Sequence, residues 1–291
     1  MIECVPNFSE GREPAAIAAI ADAIREVGGV ALLGVESDAD HHRSVITFAG
    51  QPEAVLEAAV RAVGKAAEVI DLRRHVGVHP RVGAADVVPF VPLEGSTLDD
   101  CVAIAHRAGA EIWRRYGVPV YFYEKAARFA ARQKLEKTRR PGFDGRPPDV
   151  GDIAEHVTAG AAMVGARPFL IAYNINLVTS DAAVARQIAV KIRESSGGFP
   201  FVKAMGLYLP SLNRAQVSMN LTDFAGIALD DLYAAVEAEA ARLGTSVAES
   251  ELIGFIPRAA YEQSPAFFSR TRGFSEARII ENRIAQLLQS K

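Results

Sequence analysis

Apolar residues recur along this chain with two periods that alternate. From Pro14 onward, Ile17, Ile20, Ile24 and Val27 stand three and four apart, the apolar stripe of a helix that Gly28-Gly29 stops. From Pro52, the residues Val55, Leu56, Ala59, Val63 and Ala66 form a second stripe. Short apolar runs at 2–5, 30–35, 45–49 and 86–91 read as strands, and Pro89 assigns the last to a sheet edge or a bulge. The order is β-α-β-β-α-β. A strand at 169–177, a helix capped by Ser180 with Val184, Ile188 and Ile192 inward, strands at 202–209 and 215–220, a helix over 229–243 stopped by Gly244, and a strand at 249–255 repeat it. Between the halves lie a helix over 97–116, started by a Ser96/Asp99 capping pattern, and a strand at 119–122; a helix over 275–288 ends the chain. The halves share element order and no matching residues. The expected fold class is α/β (α+β), built as two ferredoxin-like split β-α-β subdomains.

Composition narrows the picture. The 291 residues are 49% hydrophobic and 23% charged, ordinary proportions for globular domains with full cores, which excludes disorder, collagen and coiled coil as descriptions of the whole. A net charge of −3 gives no general attraction to nucleic acid or to an anionic membrane. Two cysteines, Cys4 and Cys101, are too few for a disulfide framework and suit a reducing compartment. No apolar run approaches 18 residues and no basic start precedes an apolar run, so the expectation is a cytoplasmic protein without signal peptide or membrane span.

The densest chemistry lies in His75-Val-Gly-Val-His79-Pro-Arg81-Val-Gly-Ala-Ala-Asp86. An imidazole there can accept and return a proton near neutral pH, and a neighbouring guanidinium can hold a carboxylate through two parallel hydrogen bonds. The plainer reading is a loop histidine beside a structural Arg–Asp pair. A metal is not expected: two glycines and Pro80 argue against a helix that would put His75 and His79 on one face, and no Cys-x-x-Cys or His-Glu-x-x-His pattern occurs. His41-His42, with Asp38, Asp40 and Arg43, form a second polar turn. Polar and apolar residues alternate strictly in 173–177 and 215–220, so Asn174, Asn176, Gln216, Ser218 and Asn220 line two strand faces with uncharged donors and acceptors. That composition suits a heterocycle such as a pterin, the alternative being a solvated face. The run Gly160–Phe169 is rich in glycine and alanine, which permits a flat ligand to approach backbone, and it matches neither a Walker loop nor a dinucleotide fingerprint. The basic segment 132–146, with Arg132, Lys134, Lys137, Arg139, Arg140 and Arg146, is a solvated loop, or else an active-site lid or polyanion contact.

Several blocks together resemble the formiminotransferase family: Cys4-Val-Pro-Asn-Phe-Ser-Glu-Gly11, Arg43-Ser-Val-Ile-Thr-Phe48, His79-Pro-Arg-Val-Gly-Ala-Ala-Asp86, Gly117-Val-Pro-Val-Tyr121, Gly165-Ala-Arg-Pro-Phe-Leu-Ile-Ala-Tyr-Asn-Ile-Asn-Leu177, Ala215-Gln-Val-Ser-Met-Asn-Leu221 and Glu251-Leu-Ile-Gly-Phe-Ile-Pro257. They occur in family order over nearly the whole chain. The resemblance implies transfer of a formimino group from N-formimino-L-glutamate to tetrahydrofolate, which is a co-substrate, with no tightly bound cofactor. It implies two subdomains, 1–178 and 179–291, whose sheets flank a substrate groove, in a homodimer. The boundary leaves open which half owns the strand at 173–177.

By the same resemblance the catalytic histidine falls on His79. The folate-binding stretch falls on Gly160, Ala161, Ala162, Met163, Val164, Gly165, Ala166, Arg167, Pro168 and Phe169. Arg43 and Arg81 are candidates for the glutamate carboxylates, Arg167 for the folate tail, and the amide-lined strands for the pterin. His42 departs from the family, whose relatives commonly carry asparagine there, and Pro148-Asp149-Val150-Gly151 matches a family motif loosely. No sequence after 291 corresponds to a cyclodeaminase part, so that activity is not expected. Two alternatives remain: a transferase moving the formyl group of 5-formyltetrahydrofolate to glutamate, and a folate-binding sensor without turnover, against which the presence of His79 argues.

Overall fold

Proline at the first helical turn and glycine beyond the last punctuate much of the architecture. The computed structural model describes residues 1–76, 81–139 and 145–289. They divide into two compact units, Met1–Pro168 and Phe169–Lys291.

In the first unit, β1 (Ile2–Cys4) and β2 (Asn7–Phe8) are one strand interrupted at Val5-Pro6, followed by α1 (Pro14–Arg25), β3 (Val30–Asp38), β4 (Arg43–Gly50), α2 (Pro52–Val69), β5 (Ala85–Pro92), α3 (Leu98–Tyr116), β6 (Val120–Glu124), α4 (Leu135–Thr138) and β7 (Ala162–Ala166). Pro14 and Pro52 open their helices, where a missing N–H costs nothing. The sheet runs β3-β4-β1/β2-β5-β7-β6, antiparallel as far as β5 and parallel from β5 to β6. Its first four positions hold the second, third, first and fourth strands of a β-α-β-β-α-β unit, the ferredoxin-like order, and β7 and β6 extend that sheet beyond the fourth strand. One core joins Ile20 and Ile24 of α1, Val55 and Val63 of α2 and Ile104 and Ile112 of α3 to the inward residues Ile2, Cys4, Phe8, Ile46, Phe48, Val88 and Phe90.

The second unit follows the same plan: β8 (Ile171–Leu177), α5 (Ala182–Ile192), β9 (Val202–Leu209), β10 (Arg214–Leu221), α6 (Leu229–Arg242) and β11 (Val247–Ile253). Its antiparallel sheet is ordered β11-β8-β10-β9, that is fourth, first, third, second, the same order read from the other edge. Tyr173, Ile175, Val217 and Met219 pack inward on Ile188 of α5 and Val236 of α6, with Phe267 and Phe268 sealing the core. Three further helices, α7 (Arg258–Gln263), α8 (Pro265–Ser269) and α9 (Ile280–Gln289), complete the unit. Among the described residues no helix is long and apolar enough to cross a membrane.

Four details differ from the sequence reading. The unit boundary falls at Pro168/Phe169 rather than 178, because β8 pairs with β10 and β11 and so belongs to the second sheet. Pro89 stands inside the first sheet. Cys4 pairs with Phe90 and Asn7 with Val87, so Pro89 faces the interruption at Val5-Pro6, where its carbonyl accepts from the Val5 N–H at 3.3 Å and no N–H is required of it. The helix caps each move one residue along: Asp181, not Ser180, caps α5, and Thr97 with Asp100, not Ser96 with Asp99, form the box that opens α3. The last helix begins at Ile280, after a 3-10 turn at Glu276–Arg278.

The capping geometry separates two adjacent hydroxyls. Thr97→Ala removes the acceptor of the Asp100 N–H and is expected to cost about 1 kcal/mol. Ser96→Ala is expected to stay within about 0.5 kcal/mol, and urea denaturation of both variants measures the difference.

Candidate active site

The first unit's sheet has a second face, opposite its helices, and that face carries the charge. Asn7 on β2 and Arg43 on β4 alternate with inward neighbours and so point away from the core. Asp86 reaches the same place by a different route. Asn7 pairs with Val87 and Phe8 with Ala85, so Asp86 is the extra residue of a bulge, and a bulge re-aims the side chain it carries.

The Asp86 carboxylate is fully buried and gathers three donors. Oδ2 accepts from Arg43 Nη1 at 2.7 Å and from Arg139 Nη2 at 2.6 Å, and Oδ1 accepts from the Val82 N–H at 2.8 Å. Burial opposes its charge, yet Arg43, Arg139 and the Val82 amide prevail and hold the carboxyl below the usual aspartate value. Burial also pushes Arg43 down to about 10, against the pull of Asp86. Arg43 spends a further donor, Nε, on Asn7 Oδ1 at 3.0 Å. Two of its five N–H donors are thus used inside the cluster.

A second cluster adjoins the loop leading to residues 77–80. The turn between β3 and β4 takes His42 into the left-handed region, with φ 48°. Its ring stacks on His75 at 3.8 Å between centroids. His42 Nδ1 donates to the Val76 carbonyl at 3.0 Å, and Nε2 meets Glu10 Oε1 at 3.1 Å. The N–H groups of Arg12 and Glu13 and the His42 contact hold Glu10 below its ordinary value despite the opposing effect of burial. His75 Nε2 faces both Arg81 Nη1 at 2.8 Å, a donor, and the His42 carbonyl at 3.1 Å, an acceptor, while Nδ1 is buried with no partner. Burial lowers Arg81 as well. His79, expected as the catalytic base, lies outside the described residues. The segments on either side of it are pinned: Leu72 N donates to Thr158 O, Ala84 N to Ala159 O and Ala161 N to Val82 O. A Cβ at Gly83 would stand 2.1 Å from Ala161 O and one at Gly160 2.1 Å from Val82 O, so both positions require glycine for close backbone approach.

The glycine-rich stretch becomes β7, the strand between β5 and β6. Gly160, Ala161, Ala162, Met163, Val164, Gly165 and Ala166 are all buried, whereas Arg167 and Phe169 are half-buried and Pro168 is exposed. Ala162, Val164 and Ala166 enter the main core; Ala161 and Met163 pack with Val87 and Tyr123 on the other face. Gly165 has its own packing reason: a Cβ there would lie 2.4 Å from the Tyr123 ring. The basic segment is only partly solvated. Arg132 is fully buried, donates to Asp149 Oδ2 at 2.7 Å and to the Pro147 carbonyl at 2.9 Å, and its guanidinium lies 4.9 Å from the Tyr121 ring centre. Arg139 is the one that joins Asp86.

The second unit also exposes chemistry on the face away from its helices. Gln216 pairs with Asn176 and Ser218 with Asn174 across β10 and β8; Glu249 and Glu251 on β11 stand beside Asn176 and Asn174. Gln216 Nε2 donates to Asn176 Oδ1 at 2.9 Å and to Glu251 Oε1 at 3.1 Å, and Asn174 Nδ2 donates to the same carboxylate oxygen at 2.9 Å. Asn174, Asn176 and Gln216 are buried, so this part is no solvated strand face; Ser218 is half-buried and Asn220 exposed farther along. Among the described residues no group of three or more side chains has the makings of a metal site.

Sequence reasoning brought together Arg43, Arg81, His75 and Asp86, and separately the three buried amides. It placed Arg139 only in the basic segment, without its tie to Asp86, and missed Asn7, Glu10, Glu249 and Glu251. Asn7 and Glu251 had a legible signal, since each sits at a polar position inside an alternating strand; Arg139 had none, because its partner lies fifty-three residues away.

Replacing Asp86 by asparagine strands Arg43 and Arg139 without their counter-ion and is expected to cost about 3–5 kcal/mol at neutral pH. A carboxyl held low contributes stability that is complete above its unfolded value and is lost as pH falls through the folded one. The gap between wild type and Asp86→Asn should therefore be widest near neutrality and narrow below about pH 4, which denaturation at a series of pH values measures.

A family model described as the formiminotransferase domain, N-terminal subdomain, matches residues 1–167, and one described as the formiminotransferase domain matches 172–288. A glutamate formimidoyltransferase of Thermoplasma acidophilum is 40% identical over 98% of this chain and 97% of its own length. One from Streptococcus pyogenes serotype M1 is 40% identical, covering 98% of each. The formimidoyltransferase-cyclodeaminase of Sus scrofa is 41% identical over 92% of this chain but only 52% of its own, so the chain spans about half of that relative. With both subdomain models matched in order and two relatives aligned over nearly their full length, the chain belongs to the formiminotransferase family.

Proposed function

We propose that this protein is a glutamate formimidoyltransferase that moves the formimino group of N-formimino-L-glutamate to N5 of tetrahydrofolate. What supports the reading, beside the family, is the set of guanidinium groups among the described residues that Asp86 and His75 gather. Arg43 and Arg139 share the Asp86 carboxylate, and Arg81 stands beside His75, a guanidinium-rich lining that suits an anionic substrate.

The chemistry requires one proton to be moved between two nitrogens. N5 of tetrahydrofolate attacks the amidine carbon and forms a C–N bond; the tetrahedral adduct then breaks its bond to the glutamate nitrogen. N5 loses a proton, the departing amine gains one, and glutamate and 5-formiminotetrahydrofolate result. His79 would take the first proton and return it as the second, a role worth about 10²–10⁴ in rate. Arg81 would hold a glutamate carboxylate, with Arg43 behind it as the counter-ion of Asp86. Within the folate stretch, Arg167, Pro168 and Phe169 offer the accessible end for the co-substrate's tail, while the buried part shapes the sheet beneath. Holding both reactants in register supplies proximity as well as proton transfer.

The test is a paired assay of purified protein. One reaction contains tetrahydrofolate and N-formimino-L-glutamate, the other 5-formyltetrahydrofolate and L-glutamate, and His79→Ala accompanies each. Turnover in the first, falling at least about a hundredfold in the variant, is expected. A dominant second reaction would transfer the reading to formyl chemistry, and full activity of His79→Ala would remove the histidine from its role.

A further inference from the structure

The amide-lined face of the second unit leaves one charge and one acceptor unanswered. Its two carboxylates differ. Glu249 is compensated, with Arg272 Nη1 at 3.0 Å from Oε2 and Arg214 Nη1 at 3.5 Å from Oε1. Glu251 has no cation within ion-pairing distance among the described residues. Its Oε1 takes both amide donors, from Asn174 and Gln216, and its Oε2 takes none.

The network also fixes which way each amide points. Asn176 Oδ1 and the Glu251 carboxylate only accept, so Gln216 must turn its nitrogen toward both. Its oxygen then faces elsewhere. Gln216 is 0% exposed and its Oε1 is buried without a hydrogen-bond partner, an arrangement that costs free energy until something donates to it. The open carboxylate oxygen and the orphaned amide oxygen lie on one strand face and each lacks an N–H donor.

We propose that Glu251 and Gln216 form a recognition site for a planar N–C–N group that presents two N–H donors. This rests on the transferase reading above and adds the residues that would meet one of its substrates. Glu251 Oε2, the oxygen that the two amides leave open, would accept one of these N–H groups, and the Gln216 oxygen would accept the other. Two sources of such a group exist in that reaction: the aminopyrimidinone edge of the reduced pterin, with its ring N–H and exocyclic amine, and the formimino group in its protonated, amidinium form. Asn174 holds the carboxylate at this angle through Oε1 and leaves Oε2 to the ligand.

Glu251→Gln removes the charge and keeps the shape. The KM for each substrate is measured for wild type, Glu251→Gln and Glu251→Asp, and binding of 5-formyltetrahydrofolate is measured without turnover by equilibrium dialysis. Thermal denaturation shows that each variant is folded. At least about a tenfold rise in one KM, with the other within about twofold, is expected for the glutamine variant, and partial recovery for aspartate. A rise for tetrahydrofolate together with weaker 5-formyltetrahydrofolate binding identifies the pterin edge. A rise for N-formimino-L-glutamate alone identifies the amidinium. Folded variants in which neither KM nor the dialysis constant moves, or in which both KM values rise equally, overturn the proposal. If wild type turns over neither substrate pair the transferase reading fails by itself, and the dialysis comparison still decides whether Glu251 and Gln216 bind a pterin.

Discussion

One buried carboxylate organises the first unit. Asp86 sits at a bulge, so its side chain turns onto the sheet face away from the helices, and there it binds Arg43 from β4, Arg139 from beyond α4 and the backbone of Val82. A buried ion pair is weak evidence for net stability, because desolvating both partners cancels much of their attraction. Its value here lies in specificity: a carboxylate with two guanidinium partners tolerates few alternative positions for the strand, the segment and the loop that supply them. Among the described residues the same cluster sets two guanidinium groups against one carboxylate in partly desolvated surroundings.

The two units solve the same packing problem with the same strand order and present different chemistry on the free face. The first carries arginines and imidazoles on a sheet lengthened by β7 and β6. The second carries amides and carboxylates on four strands and nothing cationic beside Glu251 among the described residues. Each face is polar because alternation in a strand puts every second residue there, and each is specialised because its partners are fixed by register.

Much of this was legible in the sequence, for identifiable reasons. Helix stripes such as Ile17, Ile20 and Ile24 repeat over several turns, so element order survives local ambiguity, and two runs of β-α-β-β-α-β give the topology almost directly. The polar positions of β8 and β10 are local patterns and were found. What escaped depended on distant residues or on a one-residue shift. No periodicity announces the bulge that re-aims Asp86, and a run of basic residues does not reveal that Arg132 is buried against Asp149 while Arg139 reaches Asp86. Small residues in 160–169 read as room for a ligand; at Gly165 the room is taken by Tyr123. Caps slipped by one place because Ser96-Thr97 and Ser180-Asp181 each offer two acceptable residues, and only the backbone decides between them.

The central claim is that Asp86 locks the loop beside His79 and the basic segment into one unit. Hydrogen exchange of Asp86→Asn, followed by mass spectrometry under conditions where the variant remains folded, tests it most directly. Faster exchange confined to residues 72–76, 81–84 and 132–139, with the second unit unchanged, is the expected result. Exchange that rises uniformly across the first sheet and its helices, or that does not rise in those three segments, would contradict it.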